Sequence, residues 1–250
     1  MDIGTGKDLA DYGEVPYHLI DIAEPGTRFS LHQWLTAARE AIADIAGRGR
    51  RPIVCGGTGL YIEALVADYS LDDVAPDLDL RNRLEAMSLS ELQRLLADHG
   101  LTMAPGEELN PRRIVRALER HLTSPDTPRP SRRPSSQPIL LVDIPRDMRR
   151  ARIADRLQTR LCDGMVDEID ALLRSGIPAE TLIAYGLEYR YITLYLTGKL
   201  AYDDMVRDLQ TAICQFSKRQ MTYFRGMQRR GLTLVATPYN QPIDTALLNL

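Results

Sequence analysis

The sequence predicts an α/β fold built on a parallel sheet, with an all-helical insertion and a helical C-terminal region. The first observation is the short apolar segment Pro52–Cys55, which is followed by the glycine turn Gly56–Gly59 and the apolar segment Leu60–Val66. A strand, a turn and a helix in this order are typical of α/β proteins. The second is the continuous apolar run Ile139–Val142, which predicts a further strand of the sheet. The third is the region after Arg146, where apolar residues recur at helical spacing.

Each element has its own local signal. Pro16–Ile22 predicts a short strand or extended segment. Ser30 and Gln33 have the spacing of a capping box and predict the start of a helix that closes at Gly47. Asn110 before proline predicts another helix start. Further predicted elements are helices starting at Asp79 and Ser90, helices over Arg149–Leu161, Val166–Arg174, Glu188–Leu196 and Tyr202–Phe224, and a last short strand over Thr233–Ala236.

The pattern predicts a discontinuous core. Residues 1–68 and 138–250 form the α/β core with the C-terminal helices, and residues 69–123 form the helical insertion. Residues 124–137, rich in proline, serine and arginine, predict a flexible loop between the two.

The composition indicates a folded cytoplasmic protein. The chain of 250 residues is 44% hydrophobic and 26% charged, and no stretch is apolar enough for a membrane span. Its three cysteines, Cys55, Cys162 and Cys214, are too widely spaced for a metal or redox motif. We expect each to be a small buried side chain in a reducing compartment. The four histidines are expected to form no cluster.

Positive charge is concentrated in one region, although the whole chain has a formal net charge of −3. Between Asn110 and Arg160 there are 13 arginines and 5 acidic residues. Such a region suggests a polyanionic partner that meets one face of the protein. A solvated surface joined to a loose linker is the alternative reading.

The glycine turn is a candidate binding site. Its glycines permit positive φ and close backbone approach, and the amides at the start of the following helix can face an anion or a base. Thr58 adds a hydroxyl at the expected carboxyl edge of the sheet, where α/β proteins bind ligands. A tight structural turn without a ligand is the alternative.

Five motifs then occur in an order that is similar to the tRNA dimethylallyltransferase family. The motifs are Met1–Lys7, His18–Asp21, Gly56–Tyr61, Arg112–Glu119 and Gln215–Arg225. The chain is therefore identified as resembling this family over nearly its whole length.

The resemblance implies a P-loop-type α/β core that carries an inserted helical domain. It also implies a reaction in which a dimethylallyl group moves from dimethylallyl diphosphate to N6 of an adenine next to the anticodon of a tRNA, with Mg²⁺ as cofactor. The adenine is expected to be flipped out of its stack. Charge that builds on the leaving diphosphate needs amides, Mg²⁺ and cationic side chains around it. A nucleotide-binding, ATP-binding type of core, a monomer and no membrane partner are expected.

The resemblance also assigns roles to residues. Thr58 corresponds to the catalytic-site threonine that contacts the target nucleotide, and Arg81 to a tRNA-contacting arginine of the insertion. The segment expected to contact tRNA comprises Arg112, Arg113, Ile114, Val115 and Arg116, with a solvated helix face as the alternative. The candidates for the diphosphate side are Gly56, Gly57, Arg190, Lys218, Arg219 and Arg225; no metal ligand is assigned.

Two departures from the family pattern bear on activity. In the family, a glycine-rich P-loop and an Asp-Ser segment with the proposed general base precede the segment that Met1–Thr5 matches, and nothing in this sequence replaces them. The expected fold is therefore an N-terminally truncated P-loop-type sheet. Gly4–Lys7 lacks the glycine spacing of a phosphate loop. In addition, Ile183 stands where the resemblance implies a diphosphate-binding arginine, for which Arg190 is the candidate replacement.

These departures leave two explanations and two functions open. Either the start of the gene is misplaced, or the chain is a divergent paralogue. The chain is then either a tRNA prenyltransferase, impaired as written, or a catalytically inactive tRNA-binding or RNA-binding protein. Prenylation of free adenine nucleotides and nucleotide kinase activity are weaker alternatives.

Overall fold

A computed structural model describes residues 1–27, 29–67, 77–103, 106–123 and 138–241. The chain divides into two compact units. One unit comprises residues 1–68 and 133–250 and is called the core unit below. The other comprises residues 69–132 and is called the helical unit.

The described residues are mostly helical. In the core unit the α-helices are α1 (Leu31–Gly47), α2 (Gly59–Val66), α6 (Arg146–Cys162), α7 (Met165–Arg174), α8 (Ala179–Tyr185), α9 (Leu187–Leu196) and α10 (Tyr202–Arg229). In the helical unit they are α3 (Leu78–Glu85), α4 (Leu89–Asp98) and α5 (Pro111–Thr123). Two short 3₁₀ turns cover Leu9–Tyr12 and Glu107–Leu109.

The sheet of the described residues has two parallel strands. They are β1 (Ile139–Asp143) and β2 (Leu234–Pro238), with Ile139 opposite Leu234 and Asp143 opposite Pro238. Both were expected as strands, and their parallel pairing confirms the α/β class, with a sheet that is small beside the helices.

One predicted strand, over residues 52–55, is wrong, and Pro16–Ile22, predicted as a short strand or extended segment, forms no strand. Residues 17–19 and 51–56 carry no strand hydrogen bonding, and Ile53 and Val54 are 73% and 46% exposed. Apolar character alone does not make a buried strand, because a strand exists only through the partner that pairs with it. Within the described ranges no segment pairs with 52–55.

The helix signals are largely confirmed. The Ser30 side chain accepts from the Gln33 amide while the Gln33 side chain accepts from the Ser30 amide, which completes the capping box of α1. Helix α10 runs five residues beyond the predicted end at Phe224, to Arg229. The seven residues of α8 were not predicted, because so short a helix shows too few turns for a periodic pattern.

The core unit is centred on helices α6 to α10. Its fully buried side chains come from all five helices and include Met165, Ile169, Leu182, Ile192, Met205 and Leu209. In this unit α1 packs beside α2, with the Trp34 and Tyr61 rings 4.9 Å apart. Within the described ranges, no helix combines the length and the apolar composition that a membrane span requires.

The cysteines differ from expectation. Cys55 and Cys162 are exposed and Cys214 is half-buried, all three as free thiols. Cys55 lies in the unpaired segment 52–55 and Cys162 ends α6, so neither is covered by a neighbouring element. The prediction of buried cysteines is wrong for these two.

Candidate functional site

The glycine turn lies at the amino end of α2. Gly56, Gly57 and Thr58 are exposed, and Thr58 is the residue that precedes the first helical position. Its backbone is extended and its side chain makes no capping hydrogen bond, so the hydroxyl is not used by its own helix. The turn therefore presents a hydroxyl and the amino end of a helix to solvent.

Close approach explains two of the glycines, and positive φ explains none of them. Gly56, Gly57 and Gly59 all lie outside the left-handed region, contrary to the reason expected from the sequence. A Cβ at Gly57 would lie 2.6 Å from the Gln220 amide nitrogen, and one at Gly59 would lie 2.3 Å from the Tyr223 ring. The Gln220 side chain donates a 2.8 Å hydrogen bond to the Gly57 carbonyl oxygen. Helix α10 thus holds the turn from one side.

A buried carboxylate anchors α2 to α10 below this turn. Glu63 is 1% exposed, and both of its oxygens accept hydrogen bonds of 2.7 Å from the Arg230 guanidinium. The Tyr223 hydroxyl donates to the same carboxylate at 2.6 Å, and Arg230 lies 5.1 Å above the Tyr223 ring. The bidentate ion pair with Arg230 therefore compensates the buried negative charge of Glu63. These residues were not predicted from the sequence, where a glutamate within an apolar helix is the only signal of the ion pair.

A cleft of about 860 Å³ lies between α6, α10 and the carboxyl end of β1. Its apolar lining includes Ile144, Ile153 and Met221. Its walls carry one acidic side chain, Asp143. Six cationic side chains line the same cleft: Arg146, Arg149, Arg150, Arg207, Lys218 and Arg225.

Most of this positive charge is uncompensated. Arg207 pairs with Asp204 and Asp208. Each of the other five cations lacks an ion-pair partner within the described ranges. A concave site lined by like charges raises the local concentration of anions. The α6 arginines were not assigned from the sequence, although they belong to the basic region noted there.

The structure does not bring all the assigned residues together. Lys218, Thr222 and Arg225 line the cleft, whereas Gln220 and Tyr223 contact α2. At 100° per residue, these two sets lie on roughly opposite faces of α10. The glycine turn and the basic cleft therefore flank the same helix.

Two further candidates lie outside both places. Arg219 lies with its guanidinium carbon 5.8 Å from the Phe216 ring centre, a cation–π contact. Arg190 is exposed, and its Nε donates a 3.4 Å hydrogen bond to the carbonyl oxygen of Ile183. The Arg190 guanidinium therefore lies beside Ile183, the position where the resemblance implies a diphosphate-binding arginine.

In the helical unit, the segment 112–116 is divided between surface and core. Ile114 and Val115 are 0% and 4% exposed and pack with Leu92 and Leu118, so their side chains are structural in this unit. The arginines of this segment lie towards the surface, with Arg112 exposed and without an ion-pair partner in the described part of the chain. Arg113 pairs with Glu107, and Arg116 pairs with Glu119.

Arg81 and one pair of histidines complete the helical unit. Arg81, on α3, reaches the same Glu119 carboxylate of α5 at 2.6 Å. The rings of His99 and His121 lie 5.2 Å apart in an edge-to-face pair. Helix α5 brings His121 beside the end of α4, a contact that linear spacing does not reveal.

Backbone amides of the amino-terminal segment bind the carboxylate of Glu168. Glu168 on α7 accepts backbone N–H bonds from Asp2, Ile3 and Gly4 at 2.5, 2.9 and 3.1 Å. Burial by itself would raise the pKa of the Glu168 carboxyl, but these N–H bonds and the Tyr189 hydroxyl outweigh it and lower that pKa. Glu168 accepts from the Gly4 amide, and backbone carbonyl oxygens of Asp2 and Ile3 accept from the Gly6 and Lys7 amides, so these three amides of Gly4–Lys7 are used within the protein.

The described ranges contain no preformed metal centre. They contain no group of three or more His, Cys, Asp or Glu side chains placed to hold a metal ion. The cleft offers the single carboxylate of Asp143. That donor set fits an ion such as Mg²⁺ that keeps water and binds mainly through substrate phosphates.

The fold and the cleft define a class: an α/β protein with a basic cleft at the carboxyl end of a parallel strand and a separate helical unit that carries arginines. More particularly, the chain belongs to the IPP transferase family, whose sequence profile matches residues 1–227.

Curated relatives and solved structures agree with this family. The chain is 48% identical over 240 residues to tRNA dimethylallyltransferase 2 of Porphyromonas gingivalis, covering 94% of this chain and 80% of the relative. It is 44% identical over 236 residues to tRNA dimethylallyltransferase 1 of Geotalea uraniireducens, covering 94% and 78%.

Among solved structures, the full-length tRNA isopentenylpyrophosphate transferase of Bacillus halodurans matches with a TM-score of 0.65 and 28% identity, over all of this chain and 80% of that one. A eukaryotic dimethylallyltransferase acting on tRNA matches with a TM-score of 0.70 over 95% of this chain and 64% of that one. At 19% identity this second likeness concerns the fold alone.

Proposed function

We propose that this protein transfers a dimethylallyl group from dimethylallyl diphosphate to N6 of an adenine next to the anticodon of a tRNA. The family supports the reaction. The observation that carries the proposal is the basic cleft, where apolar side chains lie among five cationic side chains that have no ion-pair partner in the described ranges.

The cleft suits both parts of the donor substrate, its diphosphate and its five-carbon chain. The diphosphate is a polyanion, and negative charge grows on it as the carbon–oxygen bond breaks. Lys218, Arg225 and the α6 arginines supply positive charge where that growth occurs. Ile144 and Met221 supply an apolar surface for the five-carbon chain. Mg²⁺ is expected to accompany the diphosphate, with Asp143 as its protein ligand, and to neutralise charge on the leaving group.

The acceptor side is assigned to Thr58 and the arginines of the helical unit. Thr58 has an exposed hydroxyl that its helix does not use, and it can donate a hydrogen bond to a nucleotide of the RNA or accept one from it. Arg112, Arg113 and Arg116 supply contacts to the phosphate backbone of the anticodon stem-loop.

A prenylation assay with dimethylallyl diphosphate, Mg²⁺ and an anticodon stem-loop RNA tests the proposal. Lys218→Met should raise KM for the diphosphate by about tenfold or more, because it removes a charge-assisted contact, and should leave KM for RNA unchanged. Lys199→Met is the matched control, since Lys199 is exposed and lies outside the cleft. A change in KM for RNA alone would contradict the assignment of the cleft to the donor.

A second function is favoured by Ile183. If the chain binds the stem-loop but forms no product, it is an RNA-binding paralogue that has lost diphosphate recognition. In that case Ile183→Arg should restore measurable transfer, whereas an active parent should gain little from it because Arg190 already lies beside this position.

A further inference from the structure

Among the described residues of the helical unit, Glu119 is the most deeply buried carboxylate. It is 0% exposed and lies on α5 at the border between the apolar core and the face that carries Arg112 and Arg116. An ionised side chain in such a position is costly unless it is paired. The nature of its partners therefore indicates why it is there.

Two arginines converge on one oxygen of this carboxylate. Arg81, from α3, donates from Nη2 at 2.6 Å, and Arg116, from α5, donates from Nη1 at 3.0 Å, both to Oε2. The other oxygen, Oε1, is buried and accepts no hydrogen bond within the described residues. In the Glu63–Arg230 pair, by contrast, each carboxylate oxygen accepts from the guanidinium.

This arrangement places the two positively charged guanidinium groups next to each other. Two guanidinium groups that donate to one oxygen are held side by side, and only the carboxylate offsets their repulsion. The side chains of Arg81 and Arg116 are 29% and 40% exposed. Each guanidinium has five N–H donors, and the bond to Glu119 is the one that each makes within the described ranges. The remaining donors are available to an external anion.

We propose that Glu119 is a positioning residue, which holds Arg81 and Arg116 as a preorganised pair that binds backbone phosphate of the RNA substrate. The planar guanidinium fork matches phosphate oxygens in a bidentate manner. Fixing two such forks before binding removes much of the entropy cost of ordering them. This inference rests on the proposed function, because it takes RNA as the partner of the helical unit.

The charge of Glu119 makes the inference testable. Glu119→Gln removes one negative charge, so charge accounting alone predicts tighter RNA binding. If Glu119 positions the arginine pair, the opposite is expected, because the substitution releases both guanidinium groups. The variant should bind an anticodon stem-loop RNA about tenfold more weakly, and its slope of log affinity against log salt should be shallower by about one. Affinities are measured by fluorescence anisotropy across a series of KCl concentrations.

Glu107→Gln is the matched control. Glu107 pairs with Arg113 but its side chain is 37% exposed, so its removal should leave the affinity unchanged or slightly higher. A second variant, which carries Arg81→Lys and Arg116→Lys together, keeps every charge and the Glu119 carboxylate but loses both forks. This variant should also bind the stem-loop RNA about tenfold more weakly. If circular dichroism shows that Glu119→Gln does not fold, this second variant alone tests the proposal.

The outcomes separate the inference from the function on which it rests. Binding by Glu119→Gln that equals or exceeds that of the parent overturns the positioning role and leaves RNA binding intact. The same holds if the doubly substituted lysine variant binds as the parent does. A parent protein without salt-dependent binding overturns the proposed RNA partner and the positioning role together.

Discussion

Replacing Arg230 with methionine removes one half of the buried ion pair that joins α2 to α10. Glu63 is 1% exposed and accepts two 2.7 Å hydrogen bonds from Arg230. Breaking a buried pair from one side costs about 3–5 kcal/mol. Because Arg230 is 34% exposed and the Tyr223 hydroxyl still donates to Glu63, we expect a loss of about 2–3 kcal/mol.

Urea unfolding followed by tryptophan fluorescence measures this loss. The chain has a single tryptophan, Trp34 on α1, whose ring lies 4.9 Å from Tyr61 of α2. Its emission therefore reports whether α2 stays in place. The expected loss lowers the urea midpoint by about 1 M. Arg229→Met is the matched control, because Arg229 is the adjacent, exposed residue at the end of α10.

A double-mutant cycle isolates the pair itself. Glu63→Gln combined with Arg230→Met should cost less than the sum of the two single changes, by about 0.5–3 kcal/mol, because the second change meets an interaction already lost. If Arg230→Met costs no more than Arg229→Met, or if the two changes are additive, Arg230 does not anchor α2 and the reasoning is refuted.

Two further predictions concern the turn and the amino terminus. Gly59→Ala should destabilise the protein by about 1–3 kcal/mol, because its Cβ would lie 2.3 Å from Tyr223. Gly56→Ala, with nothing within 4 Å of the new Cβ, is the control, and an equal loss in both would contradict the steric reason. Glu168 has a folded-state pKa below its usual 4.5, so the stability that it contributes is present above pH 4.5 and is lost as the pH falls below that value. Over this acidic range, the stability of Glu168→Gln should fall less steeply with pH than that of the parent. Glu180→Gln is the control and should follow the parent. Parallel curves of stability against pH for the parent and Glu168→Gln would exclude a stabilising role of the Glu168 charge.

Local signals in the sequence were sufficient for most helices and for both strands. The Ser30 capping box, the proline after Asn110 and the apolar run before Asp143 act through neighbours along the chain, and each appears where it was expected. The family was equally readable, because short motifs such as the glycine turn keep their order and spacing. The role of glycine there was misjudged, since the reason is the approach of a helix far along the chain.

Tertiary structure alone decided what these elements bury and bring together. Residues 52–55 have the composition of a buried strand but are exposed, because pairing depends on a partner and not on composition. Glu63 and Arg230 are 167 residues apart in sequence, and Arg81 and Glu119 are 38 apart, so no local pattern announces either ion pair. The sequence by itself determined the family, the helices and the abundance of arginine. Only the fold decided which charges are neutralised inside the protein and which remain without an ion-pair partner in the described ranges, because that depends on distances between groups that are remote along the chain.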